Sequence, residues 1–512
     1  MTRESLALTA AVTPPRSNGR FACLLTLLRA GAAATAVLLS TAMSASDRPV
    51  GIAQLANIAV FEYEGMTFEG GSDPAGFAWF RNELVFSAKD IFGDTELYSY
   101  DGREVRLLAD INTQVLDWQP QSSSPSGFIR FGNELVFSAD DGVSGRELWS
   151  YDGQRVRRIA DLNQTLKNGV NQSSIPTGFV VFGNELVFSA DDGVNGRELW
   201  GYDGRRVRLI ADINPAVTQT CTRDRSGRET CVTVPQSSVP AGLTVFGGEL
   251  VFRATDGITG EELWSYDGRE VRQIANINQQ PAPVGDRSSG AGGFVVFGGK
   301  LVFSATDGMT GGELWSYDGH DVRPLGEINV GPGGSFGMGF VGRVFGNELV
   351  FLATDGSTGE ELWSYDGNII RQVADINPSG SSSPGGLMVF GGELVFSAGS
   401  PDGRAIDREL WAYDGREVRQ LANINPVGSS IPVRFALFGN AVVFVATDGA
   451  SGAELWSYDG HEVRQLADIN PAPKGSSNPS GLMAFGNELI FSADDGTTGT
   501  ELWRLSHAGG QQ

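Results

Sequence analysis

The sequence predicts an all-β propeller of about nine four-stranded blades, and three observations carry that prediction. The first is repetition. Glu-Leu-Trp or Glu-Leu-Tyr, followed in all but the last copy by a Tyr-Asp-Gly turn, begins at Glu96, Glu147, Glu198, Glu262, Glu313, Glu361, Glu409, Glu454 and Glu501. The steps between copies run from 45 to 64 residues, which is the period of a propeller blade. The second is strand chemistry. Short apolar and β-branched segments are bounded by Gly-Asn, Gly-Gly and Asp-Gly turns, and no helical period is sustained after residue 45. The third lies at the ends. The last unit stops after its third strand, ELWRL (501–505), while GIAQLANI (51–58) is similar to the fourth strand in REVRQLANIN (416–425). A lone fourth strand at the start and a missing one at the end complete one blade together, so the N-terminal strand is expected to close the ring.

Residues 1–45 stand apart from the rest. They hold four Arg, one Glu, no Lys or Asp, an apolar run at 30–43, and small residues at Ser44 and Ala45. That is the pattern of a secretory signal cleaved near Ser44 or Ala45. The run after Arg29 is too short to span a bilayer, so no membrane span is expected in the mature chain. The expected location is secreted, periplasmic or cell-surface. Residues 46–506 are expected to form a single domain, with 507–512 as a disordered tail. The whole chain carries a net charge of −23, and losing the leader makes it more acidic. Such a charge repels nucleic acid and anionic membrane, and suits divalent cations, basic partners or plain solubility.

Each repeat resolves into four strands. The first is apolar, as in GFIRF (127–131) or GFVVF (178–182). Gly-Asn or Gly-Gly follows in eight units, and Arg81-Asn82 in the first. Glycine and asparagine accept positive φ, which favours a tight hairpin. The second strand, ELVFSA or a variant, is apolar at consecutive positions, as expected of a strand covered on both faces. An Asp-Gly-x-x-Gly-x loop leads to the third strand, ELWSY, and Asp-Gly turns it into the fourth, as in QRVRRIADLN (154–163). A Ser/Pro/Gly-rich loop connects to the next unit. Both tight turns fall on one face of the ring, and the Asp-Gly-x-x-Gly and Ser/Pro loops on the other. This long-loop face carries the variation and the acid, and binding is expected there.

Cys23 belongs to the leader. Cys221 and Cys231 lie in TCTRDRSGRETCVTV, within an insertion at about 215–240 that accounts for the 64-residue step. Its two β-rich arms predict a hairpin, and in an exported protein the pair is expected as a disulfide. The closed loop is small, so the bond would rigidify an excursion rather than hold the domain together.

The ELW-x-x-DG core, the DDG-x-x-G-x-ELW lead and the DIN-P tail, over roughly residues 51–505, resemble the ELWxxDGT repeats of bacterial exported and surface proteins. The chain departs from that pattern by placing Arg, Gln, His or Asn where the family has Thr after Asp-Gly. The resemblance implies a repeat propeller outside the cytoplasm. It transfers no catalytic residue.

Asp141, Asp192, Asp256, Asp307, Asp355, Asp448 and Asp495 open the long loops, as does Asp402, and the first unit breaks the pattern with KDIFGD (89–94). A ring of Ca²⁺ sites would suit such carboxylates. Turn chemistry, with each Asp bonding its own backbone, accounts for the same residues, and their spacing does not match the alternating-oxygen Ca²⁺ loop. The recurring Glu of the third strand reads as a strand-edge hydrogen-bonding or pairing group. The aromatics at Tyr98, Trp149 and equivalent positions read as packing between blades. The fourth-strand arginines, Arg106 and Arg157 among them, read as charges that guard an edge strand. Trp118, in the loop VLDWQPQ (115–121), is the best single candidate for an exposed contact residue, with Phe61, Tyr63 and Phe68 as weaker ones.

The sequence offers little for catalysis. His320 and His461 occupy the same turn position in different blades, His507 lies in the tail, and no Ser-His-Asp constellation is present. Three functions remain in play. The first is a monomeric binding or scaffold module that takes a protein or glycan on its long-loop face and needs no cofactor. The second is a Ca²⁺-dependent carbohydrate-binding or adhesion protein. The third is a polysaccharide hydrolase or lyase using a carboxylate pair, which no sequence feature singles out.

Overall fold

A computed structural model describes residues 51–506 except 64–65, 168–169, 224–228, 281–286, 332, 337–338 and 401–406. These all belong to one compact unit, Ala42–Gln512. The expected leader, the 507–512 tail and Asp402 lie outside the described residues.

Nine four-stranded antiparallel sheets form the ring. Eight are built from consecutive strands. Blade 2 shows the plan, with Ser126–Phe131, Glu134–Asp140, Arg146–Tyr151 and Val156–Ala160 in that order from the axis outward. First strands of successive blades adjoin one another around the axis, and Ser480–Phe485 adjoins Ala75–Phe80 to complete the circle. The ninth sheet takes its fourth strand from the other end of the chain. Ile52–Ala56 pairs with Thr500–Ser506, setting Ile52 opposite Leu505 and Gln54 opposite Trp503. Closure by the N-terminal strand, expected from the half-repeats at the two ends, is what the fold shows.

The second strand explains why the ring holds. Leu135 and Phe137 face back to Phe80, Val85 and Leu97 of blade 1, while Val136 faces forward to Leu186 and Phe188 of blade 3. Alternation therefore buries both faces, and ELVFSA has no solvent side on which to place a charge. Each of the nine junctions between blades holds one such apolar cluster. The third-strand tryptophans fill these clusters, and Trp200, Trp363, Trp456 and Trp503 are all buried. Stability is then a sum of nearest-neighbour terms, as in other repeat proteins, and no single hydrophobic centre exists.

The fourth-strand arginines do more than guard an edge. Arg157 donates to Glu134 at 2.5 Å and to Tyr202 of the next blade at 3.3 Å, and Tyr202 donates to Glu134 at 3.1 Å. The same triad recurs as Arg208–Glu185–Tyr266 and Arg371–Glu348–Tyr413, tying each of these blades to its successor. Lys300 takes the Glu position in blade 5, and Tyr365 of blade 6 bonds the Gly367 carbonyl instead.

The insertion is a hairpin, Val217–Arg223 against Glu229–Pro235, with Cys221 opposite Cys231 and joined to it by a disulfide. Among the described residues no helix is long and apolar enough to cross a membrane.

Candidate functional site: the long-loop face

The long-loop face is assembled from three residue types that recur through the repeat. The first is the third-strand Glu. All nine are buried. In blade 2, Glu147 Oε1 accepts the Ser174 N–H at 2.9 Å, while Oε2 accepts the Leu162 N–H at 2.8 Å and the Ser174 hydroxyl at 2.6 Å. The carboxylate thus clamps the end of its own fourth strand and the linker to the next blade. Glu198, Glu361 and Glu454 do the same with Ser238, Ser382 and Ser477. In blade 9 the partners come from the N-terminal segment, where Ile58 N–H and Ser72 bond Glu501. The strand-edge role expected for this Glu is therefore an interior one.

The second is the Asn of Asp-Ile-Asn. Asn163 donates to the Ser173 carbonyl at 3.3 Å and accepts the Thr165 N–H at 3.3 Å. It lies directly beneath Gly193, where a Cβ would run into its Oδ1. Gly193 also has φ +72°, so both space and conformation require glycine there.

The third is the loop Asp. Asp192 Oδ1 accepts N–H groups of Val194 and Asn195 at 2.9 and 2.7 Å, closing the loop on itself. Asp141, Asp256, Asp307, Asp355, Asp448 and Asp495 do likewise. At Asp355 the N–H of Thr358 leads the donors that hold the carboxyl down to about 2. Asp141 also pairs with Arg158 at 2.9 Å. Among the described residues none of the seven belongs to a group of three ligand atoms within 4.8 Å of one another.

Blade 1 is different. Its irregular KDIFGD loop buries Asp94 beside Glu96 and Asp110, and one oxygen of each lies within 4.8 Å of the others. Tyr98 stands here in place of tryptophan. Burial raises its hydroxyl well above the ordinary range, and the charges of Asp90, Asp94, Glu96 and Asp110 raise it further. The sequence showed KDIFGD as a break in the repeat, but only the register of strand Thr95–Tyr100 brings these carboxylates together.

Trp118 is where the sequence placed it, on a loop and 67% exposed. It sits at the tip of a two-residue hairpin with φ +69°, beside Asp117 at +49°. Left-handed backbone at a bulky residue costs about 1–3 kcal/mol. Phe61 packs on Phe92 with ring centroids 5.8 Å apart, and Phe68 is exposed. The Tyr63 side chain lies outside the described ones. His320 and His461 are exposed at Asp-Gly turns on the opposite face.

The buried glutamates make stability pH-dependent. Burial raises Glu96, Glu198, Glu454 and Glu501 from 4.5 to about 7, although their hydrogen-bond donors pull the other way. Between pH 4.5 and about 7 the folded chain then holds protons that the unfolded chain releases. Their contribution is complete below 4.5 and is lost as pH rises through about 7. The loop aspartates act oppositely, and at Asp355 the contribution disappears as pH falls from 3.8 towards about 2. Calorimetry is expected to find the highest melting temperature at mildly acid pH, around 4–5, and a lower one above pH 7. A melting temperature that climbs between pH 5 and 7.5 would contradict this balance.

Neither a family model nor a curated protein matches the chain. Solved structures similar to it include an acylaminoacyl peptidase from Pyrococcus horikoshii, at 13% identity and TM-score 0.35, covering 82% of this chain and 57% of that one. The chain therefore spans little more than half the length of that peptidase. Another is the β-propeller domain of the Trilobed protease from Pyrococcus furiosus, at 14% identity and TM-score 0.33, covering 67% of this chain and 97% of that one. A third is an oligogalacturonate lyase in complex with manganese, at 11% identity and TM-score 0.32, covering 90% and 96%. Likeness at this level transfers no activity, substrate or partner to this chain.

Proposed function

We propose that this propeller is an exported binding or scaffold module that engages its partner through the long-loop face, as a member of the ELWxxDGT-repeat group. One observation supports this above others. The polar side chains that the repeat supplies are committed to holding blades and loops, whereas exposed side chains that vary between blades gather on the long-loop face. A scaffold with a variable face on a fixed frame fits recognition better than chemistry, because function resides in sites rather than folds.

Masking the face tests the reading. Cysteines introduced at Val194, Ser357 or Thr497 would be capped with a bulky polyethylene glycol, with Asn368 on the tight-turn face as control. The expected result is that at least one long-loop mask releases the protein from the assemblies it forms in its producing cells, and the Asn368 mask does not. Release by the Asn368 mask alone, or by none, overturns the reading.

A second reading, Ca²⁺-dependent adhesion or carbohydrate binding, draws on the Asp94–Glu96–Asp110 cluster of blade 1. It expects a melting temperature several degrees higher in Ca²⁺ than in EDTA, and loss of that difference in Asp94→Asn. Equal melts in the two buffers would remove it.

A further inference from the structure

The long-loop face is lopsided at the tips of its Asp-Gly loops. The residue after each Asp-Gly is apolar and about 60–70% exposed in blades 2 to 5, as Val143, Val194, Ile258 and Met309. In blades 6, 8 and 9 the same position holds Ser357, Ala450 and Thr497. The connecting hairpins of the apolar sector add Trp118 and Leu166, both exposed. These tips follow one another along the rim, where loops and linkers touch in alternation. Gly142 lies against Gln114 of the Trp118 hairpin, and Asn171 donates to the Val143 carbonyl at 2.9 Å. Gly193 lies against Thr165, and Arg287 donates to the Ile258 carbonyl at 3.1 Å. An apolar crest of this extent on an exposed rim marks an interaction surface.

Charge identifies the occupant. The cations of this sector whose side chains are described are already engaged. Arg146 and Arg197 bond backbone carbonyls, Arg158 pairs with Asp141 and Asp161, and Arg253 pairs with Glu261. Among the described residues Asp192, Asp212, Asp307 and Glu327 make no ion pair. Asp192 and Asp212 belong to the same blade, at the loop and at the end of the fourth strand. The crest is therefore apolar at its tips and anionic at its flank.

Building on the long-loop reading above, we propose that blades 1 to 5 dock a protein segment that is both apolar and basic. Its apolar side chains would cover the crest, while its Lys or Arg would meet Asp192, Asp212, Asp307 and Glu327. A second copy of this chain carries the same net charge of −23 and is repelled. An anionic lipid surface is repelled by the same carboxylates. A glycan finds a single ring plane, that of Trp118, and the Val, Ile and Met tips offer it no hydrogen-bond donors.

Photocrosslinking in the intact chain tests this. p-Benzoylphenylalanine would be placed singly at Val194, Ile258, Ser357, Thr497 and, on the tight-turn face, Ile369. Adducts formed in producing cells would be identified by mass spectrometry. The expected adducts form about tenfold more at Val194 and Ile258 than elsewhere, on peptides rich in Lys or Arg with apolar neighbours. Asp212→Asn combined with Glu327→Gln is expected to lower their yield about fivefold, as is added salt. Lipid, glycan, acidic-peptide or self adducts at the crest overturn the proposal, as does a yield indifferent to the two substitutions. Adducts at Ser357 and Thr497 alone overturn it and leave the long-loop reading standing. Adducts at Ile369 alone, or at no position, overturn both.

Discussion

Deleting residues 51–59 is expected to cost the ring roughly 5–10 kcal/mol and to lower its melting temperature by about 5–10 °C. The segment does three jobs at once. Strand Ile52–Ala56 supplies the fourth strand of blade 9, and the Ser506 N–H bonds the Gly51 carbonyl at 2.8 Å. Ile52 packs on the cluster that holds Trp503 and Leu505, while Leu55 and Ile58 pack on the junction between blades 9 and 1. Ile58 also donates to Glu501 at 3.1 Å, closing the clamp that every other blade closes with its own chain. Without the segment Thr500–Ser506 becomes a bare edge and two junctions lose apolar cover. Because junction terms are local, the remaining blades should keep their sheets, so far-ultraviolet dichroism should change less than the melt. Adding a peptide of residues 46–59 in trans is expected to restore stability with a concentration dependence set by mass action. A deletion variant melting within about 2 °C of the parent would show that the N-terminal strand is not the lock.

That lock was legible in the sequence because GIAQLANI still looks like a fourth strand after separation from its blade. So were the strand order, the closed ring, the Cys221–Cys231 bond and the exposure of Trp118, all of which follow from local pattern. The clamp was not legible. In blades 1 to 8 each Glu finds its first donor 15 residues on, a fixed offset, but its serine partner lies 27 residues on at Ser174, 40 at Ser238 and 21 at Ser382. Linker length varies between blades, so no periodic search pairs them, and a carboxylate in a strand reads as an edge residue unless its partner is known. The Arg–Glu–Tyr triads were hidden for a related reason. Arg157 and Glu134 share a blade, but Tyr202 comes from the next, and a single repeat does not contain the contact. The acidic cluster of blade 1 arises where the repeat is broken. Pattern reasoning could flag KDIFGD as irregular but had no template from which to place Asp94 beside Asp110.

Replacing one clamp carboxylate tests how much of the ring each of them holds. Glu454 is fully buried. It accepts the Ile469 N–H at 2.9 Å, the Ser477 N–H at 2.8 Å and the Ser477 hydroxyl at 2.5 Å. Glu454→Ala leaves the Ile469 and Ser477 N–H groups without an acceptor and the Ser477 hydroxyl with only the Ala453 carbonyl at 3.4 Å, and the expected loss is about 3–5 kcal/mol by denaturant titration. Glu454→Gln keeps one acceptor oxygen but sets an amide N–H₂ against donors, so about half of that loss is expected. Ser477→Ala removes one hydroxyl and leaves two backbone bonds in place, for a loss of about 1 kcal/mol. The order Ala, then Gln, then the serine variant follows from the number of donors stranded. It also separates the clamp from the loop aspartates. Asp448 only closes its own exposed turn, and Asp448→Ala is expected to cost about 1 kcal/mol. The pH dependence supplies an independent check. Glu454→Gln removes one group raised to about 7, so the variant should lose less stability than the parent between pH 4.5 and 7. If Glu454→Ala stayed within about 1 kcal/mol of the parent, linkers would be held by apolar packing and turn closure alone, and the repeated Glu-Leu-Trp would owe its glutamate to something other than the fold.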